Sequence, residues 1–136
     1  MNPSPTVSSR PAESDEGLRV LLLEDDPSVR KAARLFLEQA GHTVYDADEP
    51  ESAVELAESV SPHVLLSDCK LRVGHDGIEA ARTIQSRTGA RVILVTGYTE
   101  ADLEPQLHGL DVSAYMLKPI SYAELADVVH KVAAPD

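Results

Sequence analysis

Val64-Leu65-Leu66-Ser67-Asp68 is the stretch of this sequence that decides the fold. A short apolar run between polar turns is typical of a strand buried on both faces, as in the centre of a parallel sheet. Asp68 then lies at the carboxyl end of the strand, where open α/β sheets bind their ligands. An acid in that place is also a common helix cap or turn residue. Asp68 is therefore a candidate site residue, with a capping role as the alternative.

The same pattern predicts four more strands, two before this one and two after it. Their apolar runs also end in polar or small residues, which marks the point where each strand stops. The second strand includes Asp46 and is less apolar than the others, so it suits the edge of a sheet. The five predicted strands are Val20–Leu23, Thr43–Ala47, Val64–Asp68, Arg91–Val95 and Ser113–Leu117.

Five helices are predicted to alternate with these strands. Pro105 lies inside the fourth, where a helix-interior proline costs ~3 kcal/mol, so we expect that helix to be short or late to start, and mobile. The first helix follows Pro27 and ends at Gly41, and the second covers Asp48–Ser61. The third is capped by Asp76 and closed by Gly89. The fourth covers Thr99–His108, and the fifth begins with a capping box of Ser121 and Glu124. Alternating strands and helices predict one α/β domain with a parallel sheet covered on both faces.

Composition limits the domain count and the partners. The chain has 136 residues with 43% hydrophobic content, which is enough for one domain with a real core. Residues 1–17 carry three prolines among serines and are expected to be a flexible tail, which leaves residues 18–134 for the domain. A net charge of -11 disfavours direct binding to nucleic acid or anionic membranes and favours a cation. A single cysteine and no long apolar run predict a cytoplasmic protein.

Polar residues at the strand ends predict a shared site. Parallel strands finish at the same edge of a sheet, so Glu24, Asp25, Asp68, Thr96 and Lys118 are expected to converge there. Carboxylates ~4 Å apart repel each other by ~1 kcal/mol in water and by ~4 kcal/mol at an effective dielectric constant of 20, so three together call for a bound cation. Hard oxygen ligands at a partly open site favour Mg²⁺.

Four short motifs at successive strand ends give the chain a family resemblance. They are Leu-Leu-Leu-Glu-Asp-Asp at 21–26, Leu-Leu-Ser-Asp at 65–68, Val-Thr-Gly at 95–97 and Leu-Lys-Pro at 117–119. In this order they resemble the receiver domain of two-component response regulators, from about Leu18 to Ala134. The resemblance implies a flavodoxin-like, doubly wound sheet with strand order 2-1-3-4-5. It also implies a phosphoprotein of signal transduction rather than an enzyme, although a receiver assists its own phosphorylation and dephosphorylation.

The resemblance also implies roles for individual residues. Asp68 would accept phosphoryl from a phosphohistidine on a sensor histidine kinase or a histidine phosphotransfer protein. Mg²⁺ would be held by Asp25, Asp68 and the Lys70 backbone carbonyl, and by Glu24 through a water. Thr96 and Lys118 would bind the phosphoryl oxygens, Gly97 would let the backbone approach them, Lys118-Pro119 would be a cis peptide, and Tyr115 would be the aromatic switch.

Three alternatives stay open at this point. The chain could be an intermediate phosphorelay domain of a hybrid kinase, a Mg²⁺-dependent phosphohydrolase with the same Asp nucleophile, or a degenerate receiver that only binds proteins. Against the hydrolase, this chain has no second acid two residues after Asp68 to serve as general acid or base. Since little sequence follows the fifth helix, we expect the signal to leave through the fourth helix, fifth strand and fifth helix, toward a protein target or a second copy of the domain.

Overall fold

A parallel sheet of five strands forms the centre of the fold. The structure, a computed structural model, describes residues 17–69, 77–97 and 103–133. The strands are β1 (Arg19–Leu23), β2 (Thr43–Ala47), β3 (Val64–Asp68), β4 (Arg91–Thr96) and β5 (Val112–Leu117). Their order across the sheet is β2-β1-β3-β4-β5, and every pairing is parallel. The predicted order 2-1-3-4-5 is confirmed.

The central position of β3 agrees with its apolar sequence. All five of its residues are buried, and it pairs with β1 on one side and β4 on the other. The edge strand β2 is more exposed, as the presence of Asp46 predicts. At the other edge, β5 pairs with β4 through a register shift near Val92 and Ile93. Such irregularities are common at sheet edges, where they bend the strand.

Within the described ranges, four α-helices cover the sheet in two layers: α1 (Pro27–Gln39), α2 (Pro50–Val60), α3 (Gly77–Thr88) and α4 (Tyr122–Ala133). On one face, Ala33 and Leu37 of α1 and Leu125 and Val129 of α4 pack against alternate residues of the strands. On the other face, small and aliphatic residues of α2 and α3 pack against the remaining strand residues. The sheet is therefore buried between two helical layers, as expected for a doubly wound α/β fold.

The predicted fourth helix, Thr99–His108, lies partly outside the described residues. Within the part that is described, Glu104–Gln106 forms a short 3-10 helix with Pro105 in its first turn, where a missing N–H costs little. Arg82 of α3 donates hydrogen bonds from Nε to the His108 carbonyl at 2.8 Å and from Nη2 to the Gln106 carbonyl at 2.6 Å. The end of this connection is thus attached to α3. The predicted tail, except Gly17, also falls outside the described residues.

Candidate functional site

The predicted site residues gather at the carboxyl edge of the sheet. Glu24 and Asp25 follow β1, Asp68 ends β3, Thr96 ends β4 and Lys118 follows β5. Carboxylate oxygens of Glu24, Asp25 and Asp68 lie within 4.8 Å of one another. The expected convergence of the acids is therefore observed, although they come from two different strand ends.

Asp68 and Lys118 form an ion pair within this site. Lys118 Nζ lies 2.9 Å from Asp68 Oδ2, and the carboxylate is only 5% exposed whereas the lysine side chain is 42% exposed. Burial lowers the pKa of Lys118, but the hydrogen bond to Asp68 and the nearby carboxylates outweigh it and leave the pKa above its ordinary value. The ammonium therefore stays charged over the buried acid. A capping role for Asp68 does not explain this contact across 50 residues of sequence.

Glu24 is a buried carboxyl group with an unusual proton affinity. Burial raises the pKa of Glu24 to about 7. A hydrogen bond from the Asp26 backbone N–H to Glu24 Oε2, at 2.9 Å, opposes this, while the charges of Asp68 and Asp25 raise the pKa further. At neutral pH both the protonated and the ionised form of the Glu24 carboxyl group are thus populated. A cation nearby would favour the ionised form and release the proton.

The three carboxyl groups suit a small, hard cation. A six-coordinate Mg²⁺ has bonds of ~2.1 Å, which put its ligand oxygens ~3 to ~4 Å apart. The three oxygens all lie within 4.8 Å of one another, which is close enough for the three carboxyl groups to face one ion. Two of the three acids are buried, so a cation there would offset repulsion that solvent screens poorly. The donor set therefore fits the predicted metal.

Local interactions hold the loop that carries the first two acids. Asp26 caps α1, since its Oδ1 accepts hydrogen bonds from the backbone N–H groups of Ser28 at 2.9 Å and Val29 at 3.3 Å. From the next turn, Arg30 Nη1 donates to the Glu24 carbonyl at 2.8 Å. The three acids at 24–26 thus have different roles, because Asp26 caps α1 while Glu24 and Asp25 lie close to Asp68.

Thr96 ends β4 and Gly97 follows it, whereas Tyr115 lies within the neighbouring strand β5. Thr96 is 2% exposed, and its carbonyl accepts a hydrogen bond of 2.8 Å from the Lys118 backbone N–H, which ties the two strand ends together. Tyr115 is half-buried and packs against the core on the α2 and α3 side. A Cβ at Gly97 would meet nothing within 4 Å, so the need for glycine there depends on the anion predicted to approach it.

Some predicted features lie elsewhere or outside the described residues. The Lys118-Pro119 peptide bond is cis, as the resemblance implies. Lys70, whose carbonyl is a predicted metal ligand, and Asp76, a predicted cap, are both outside the described residues.

Sequence reasoning missed an apolar wall beside the acids. A cavity of about 810 Å³ opens between the acid loop, the end of β4 and the start of α4. Its apolar lining includes Val29, Val95, Ile120 and Tyr122. The Tyr122 ring stacks on Phe36 of α1, with ring centroids 5.4 Å apart. These residues come from separate elements, and only the position of Val29 in the first turn after the acid loop could have signalled one of them.

A family model and known relatives match this architecture. The response regulator receiver domain model matches residues 20–130. The chain belongs to the response regulator receiver domain family. This receiver domain is 31% identical over 112 residues to the transcriptional regulatory protein PdtaR of Mycobacterium tuberculosis, in a match that spans 82% of the chain and 54% of PdtaR. The chain spans about half the length of the curated relatives it matches.

Solved structures agree with the fold of this receiver domain. The N-terminal domain of a response regulator/sensory box/GGDEF protein from Carboxydothermus hydrogenoformans is 27% identical, with a TM-score of 0.76 over 85% of this chain and 93% of that one. A CheY-like receiver domain protein from Methanospirillum hungatei is 24% identical, with a TM-score of 0.76 over 85% and 92% of the two chains, which supports the fold. None of the helices in the described ranges combines the length and apolarity needed to span a membrane.

Proposed function

We propose that this receiver domain accepts a phosphoryl group on Asp68 from a phosphohistidine of a sensor histidine kinase or a histidine phosphotransfer protein. The observation that carries the proposal is the 2.9 Å contact of the buried Asp68 carboxylate with Lys118, inside a group of three acids. In the transfer, an Asp68 oxygen forms a bond to phosphorus as the phosphorus–nitrogen bond of the phosphohistidine breaks, and an acyl phosphate results. The domain would meet this donor in the cytoplasm.

Positive charge would meet the phosphoryl oxygens from two sides of Asp68. Asp25 and Asp68 would hold Mg²⁺ directly with the Lys70 carbonyl, and Glu24 would hold it through a water. Bound there, Mg²⁺ supplies charge that neutralises the incoming phosphoryl group. Lys118 and the Thr96 hydroxyl would bind the other phosphoryl oxygens, and the Gly97 N–H would face them. Alignment and neutralisation of charge are the main requirements of phosphoryl transfer.

Labelling by a small donor tests the acceptor. Incubated with acetyl phosphate and Mg²⁺, the protein should gain one phosphoryl group on Asp68, detected by mass spectrometry of the intact chain and its peptides. Asp68→Asn and addition of a chelator should each abolish the label, whereas Asp127→Asn, which changes an exposed acid on α4, should not. Equal labelling of Asp68→Asn and the parent would exclude Asp68 as acceptor. Steady hydrolysis of phosphate esters without a phosphoprotein would favour a hydrolase.

We also propose that phosphorylation changes the surface around β5. Leu94 and Tyr115 are register partners that pack in the same core cluster, and Thr96, two residues after Leu94, faces the same side of the sheet. A phosphoryl group on Asp68 would draw the Thr96 hydroxyl toward it and give Tyr115 room to turn inward. Leu117, which is 56% exposed at the end of β5, lies where a protein target or a second copy of the domain would bind.

Amide NMR distinguishes a switch from a relay. Beryllofluoride, which mimics the phosphoryl group, should shift resonances from residue 103 to residue 132 as well as those near Asp68. Shifts confined to the loops around Asp68 would mean that the domain only passes the phosphoryl group onward. A dimer formed only with beryllofluoride, detected by light scattering, would identify the second copy as the partner.

A further inference from the structure

The first residue of α3 lies directly against the backbone of Asp68. A Cβ on Gly77 would lie 1.8 Å from the Asp68 carbonyl oxygen and 2.9 Å from its carbonyl carbon. The Gly77 N–H also donates a hydrogen bond of 3.1 Å to the Cys69 carbonyl. Backbone atoms at that distance from a Cβ cannot be avoided by a side-chain rotation. Any larger residue at 77 must therefore move either the start of α3 or the Asp68 peptide.

A buried hydroxyl reinforces this contact. Ser67 is fully buried, and its Oγ lies 3.3 Å from the Asp68 carbonyl oxygen and 3.3 Å from the Gly77 carbonyl oxygen. Its register partners in the neighbouring strands are Leu23 and Leu94, so a polar residue has no other evident reason to be there. The hydroxyl carries one hydrogen and can donate it to either carbonyl. It thereby links the end of β3 to the start of α3.

We propose that Ser67 and Gly77 are positioning residues for the phosphoacceptor. The orientation of the Asp68 backbone fixes the direction of its Cα–Cβ bond, and that direction aims the carboxylate at Lys118 Nζ and at the other two acids. Ser67 and Asp68 are consecutive residues of β3, so their side chains point to opposite faces of the sheet, and Ser67 contacts this backbone from the α3 side. The inference rests on the proposed function, because it concerns the alignment of Asp68 for transfer. Transfer rates depend steeply on such alignment, and a 1 Å displacement costs as much as ~100-fold.

Matched variants separate positioning from stability. Gly77→Ala introduces the Cβ that meets the Asp68 backbone. Gly89→Ala is its control, since Gly89 ends the same helix with a φ of +74° and a Cβ there would meet nothing within 4 Å. That variant strains the backbone without touching the acceptor. Ser67→Ala removes the hydroxyl and introduces no new contact, so it tests the same proposal if Gly77→Ala does not fold.

Two quantities are measured for each variant. The first is the rate of labelling by acetyl phosphate at saturating Mg²⁺, divided by the fraction of folded molecules that circular dichroism gives. The second is Mg²⁺ affinity by NMR titration. Gly77→Ala should label ~10-fold or more slowly than Gly89→Ala and bind Mg²⁺ more weakly, and Ser67→Ala should show a smaller loss in the same direction. Parental rates and affinities in both Ser67→Ala and any folded Gly77→Ala would overturn the inference. A parent that is not labelled on Asp68 would instead overturn the proposed function.

Discussion

The two edges of the same sheet treat their polar groups in opposite ways. At the amino edge, neutral imidazoles accept hydrogen bonds from the start of β1: His42 Nδ1 from the Leu18 N–H at 3.2 Å and His63 Nδ1 from the Arg19 N–H at 2.9 Å. The Arg19 guanidinium donates to the Val60 and Ser61 carbonyls at the end of α2. At the carboxyl edge, three carboxyl groups face a single ammonium group among the described residues. Among the described residues, the polar groups named at the amino edge pair with one another, whereas the carboxyl edge carries an excess of negative charge that suits a cation.

Removing a proposed metal ligand at the carboxyl edge should have the largest effect. Asp25→Ala should abolish Mg²⁺ binding and phosphorylation together, because even losing an indirect partner of a metal ligand costs ~10- to 100-fold in affinity. Mg²⁺ titration and acetyl phosphate labelling measure both. The matched change at the amino edge, Arg19→Ala, should cost ~1 to 3 kcal/mol of stability and leave labelling per folded molecule unchanged. The contrast between the edges fails if Arg19→Ala lowers labelling as much as Asp25→Ala does.

Lys118→Ala should separate metal binding from the response. Lys118 contacts Asp68 but is not a proposed metal ligand, so Mg²⁺ affinity should stay near the parental value while the beryllofluoride-dependent NMR shifts are largely lost. Lys131→Ala, an exposed lysine on α4, is the control and should keep both. A full response in Lys118→Ala would reduce Lys118 to a surface residue.

Glu24 should make the metal-free protein less stable as pH rises. Its folded pKa of about 7 exceeds the ordinary 4.5, so the folded state holds the proton more tightly and stability falls as pH increases between those values. Each pKa unit corresponds to ~1.4 kcal/mol, so the free energy of unfolding falls by at most roughly 3 to 4 kcal/mol. Urea unfolding in a chelator from pH 5 to pH 8 should show this fall in the parent and not in Glu24→Gln. Mg²⁺ should reverse it, and a fall of equal size in Glu24→Gln would exclude Glu24 as its source.

The amino edge should respond to pH with the opposite sign and a smaller amplitude. Burial lowers the pKa of His42, and the charge of His130 on α4 adds to this, so the folded state excludes the proton. Stability should therefore be lost as pH falls below 6.5, the ordinary pKa, and protonation of Nδ1 would remove an acceptor worth ~1 kcal/mol. His42→Asn keeps a side-chain acceptor that does not titrate. In the Glu24→Gln background, adding His42→Asn should reduce the loss of stability as pH falls below 6.5. An unchanged loss would mean that another group causes it.

Local patterns were sufficient to predict the strands and the gathering of acids. The apolar run into Asp68 and the repetition of that pattern imply a parallel sheet, and a parallel sheet brings the strand ends to one edge. Helical spacing predicts an apolar face that includes Phe36, yet Phe36 is 38% exposed because it stacks on Tyr122 rather than on the sheet. That contact depends on how α1 meets α4, which spacing within one helix does not specify.

Contacts of backbone atoms with distant residues were also beyond prediction from sequence. The approach of Gly77 to Asp68 and the acceptance of strand N–H groups by His42 and His63 join segments that no local periodicity relates. Pro105 indicated a weak fourth helix, but whether a helix shortens or becomes a 3-10 turn depends on tertiary attachment. In this protein the attachment comes from Arg82.

The parallel strand order makes the acceptor dependent on complete folding. Glu24 and Lys118 are 94 positions apart (118 minus 24), and Lys118 reaches Asp68 only when β5 has joined the sheet beside β4. Such long-range pairings form late and slowly during folding, because loop closure costs entropy before the contacts form. A nascent or partly unfolded chain thus lacks the ammonium group that completes the acceptor. With Asp68 as the acceptor, only fully folded molecules would be phosphorylated, and chains that are still folding would not react with the donor.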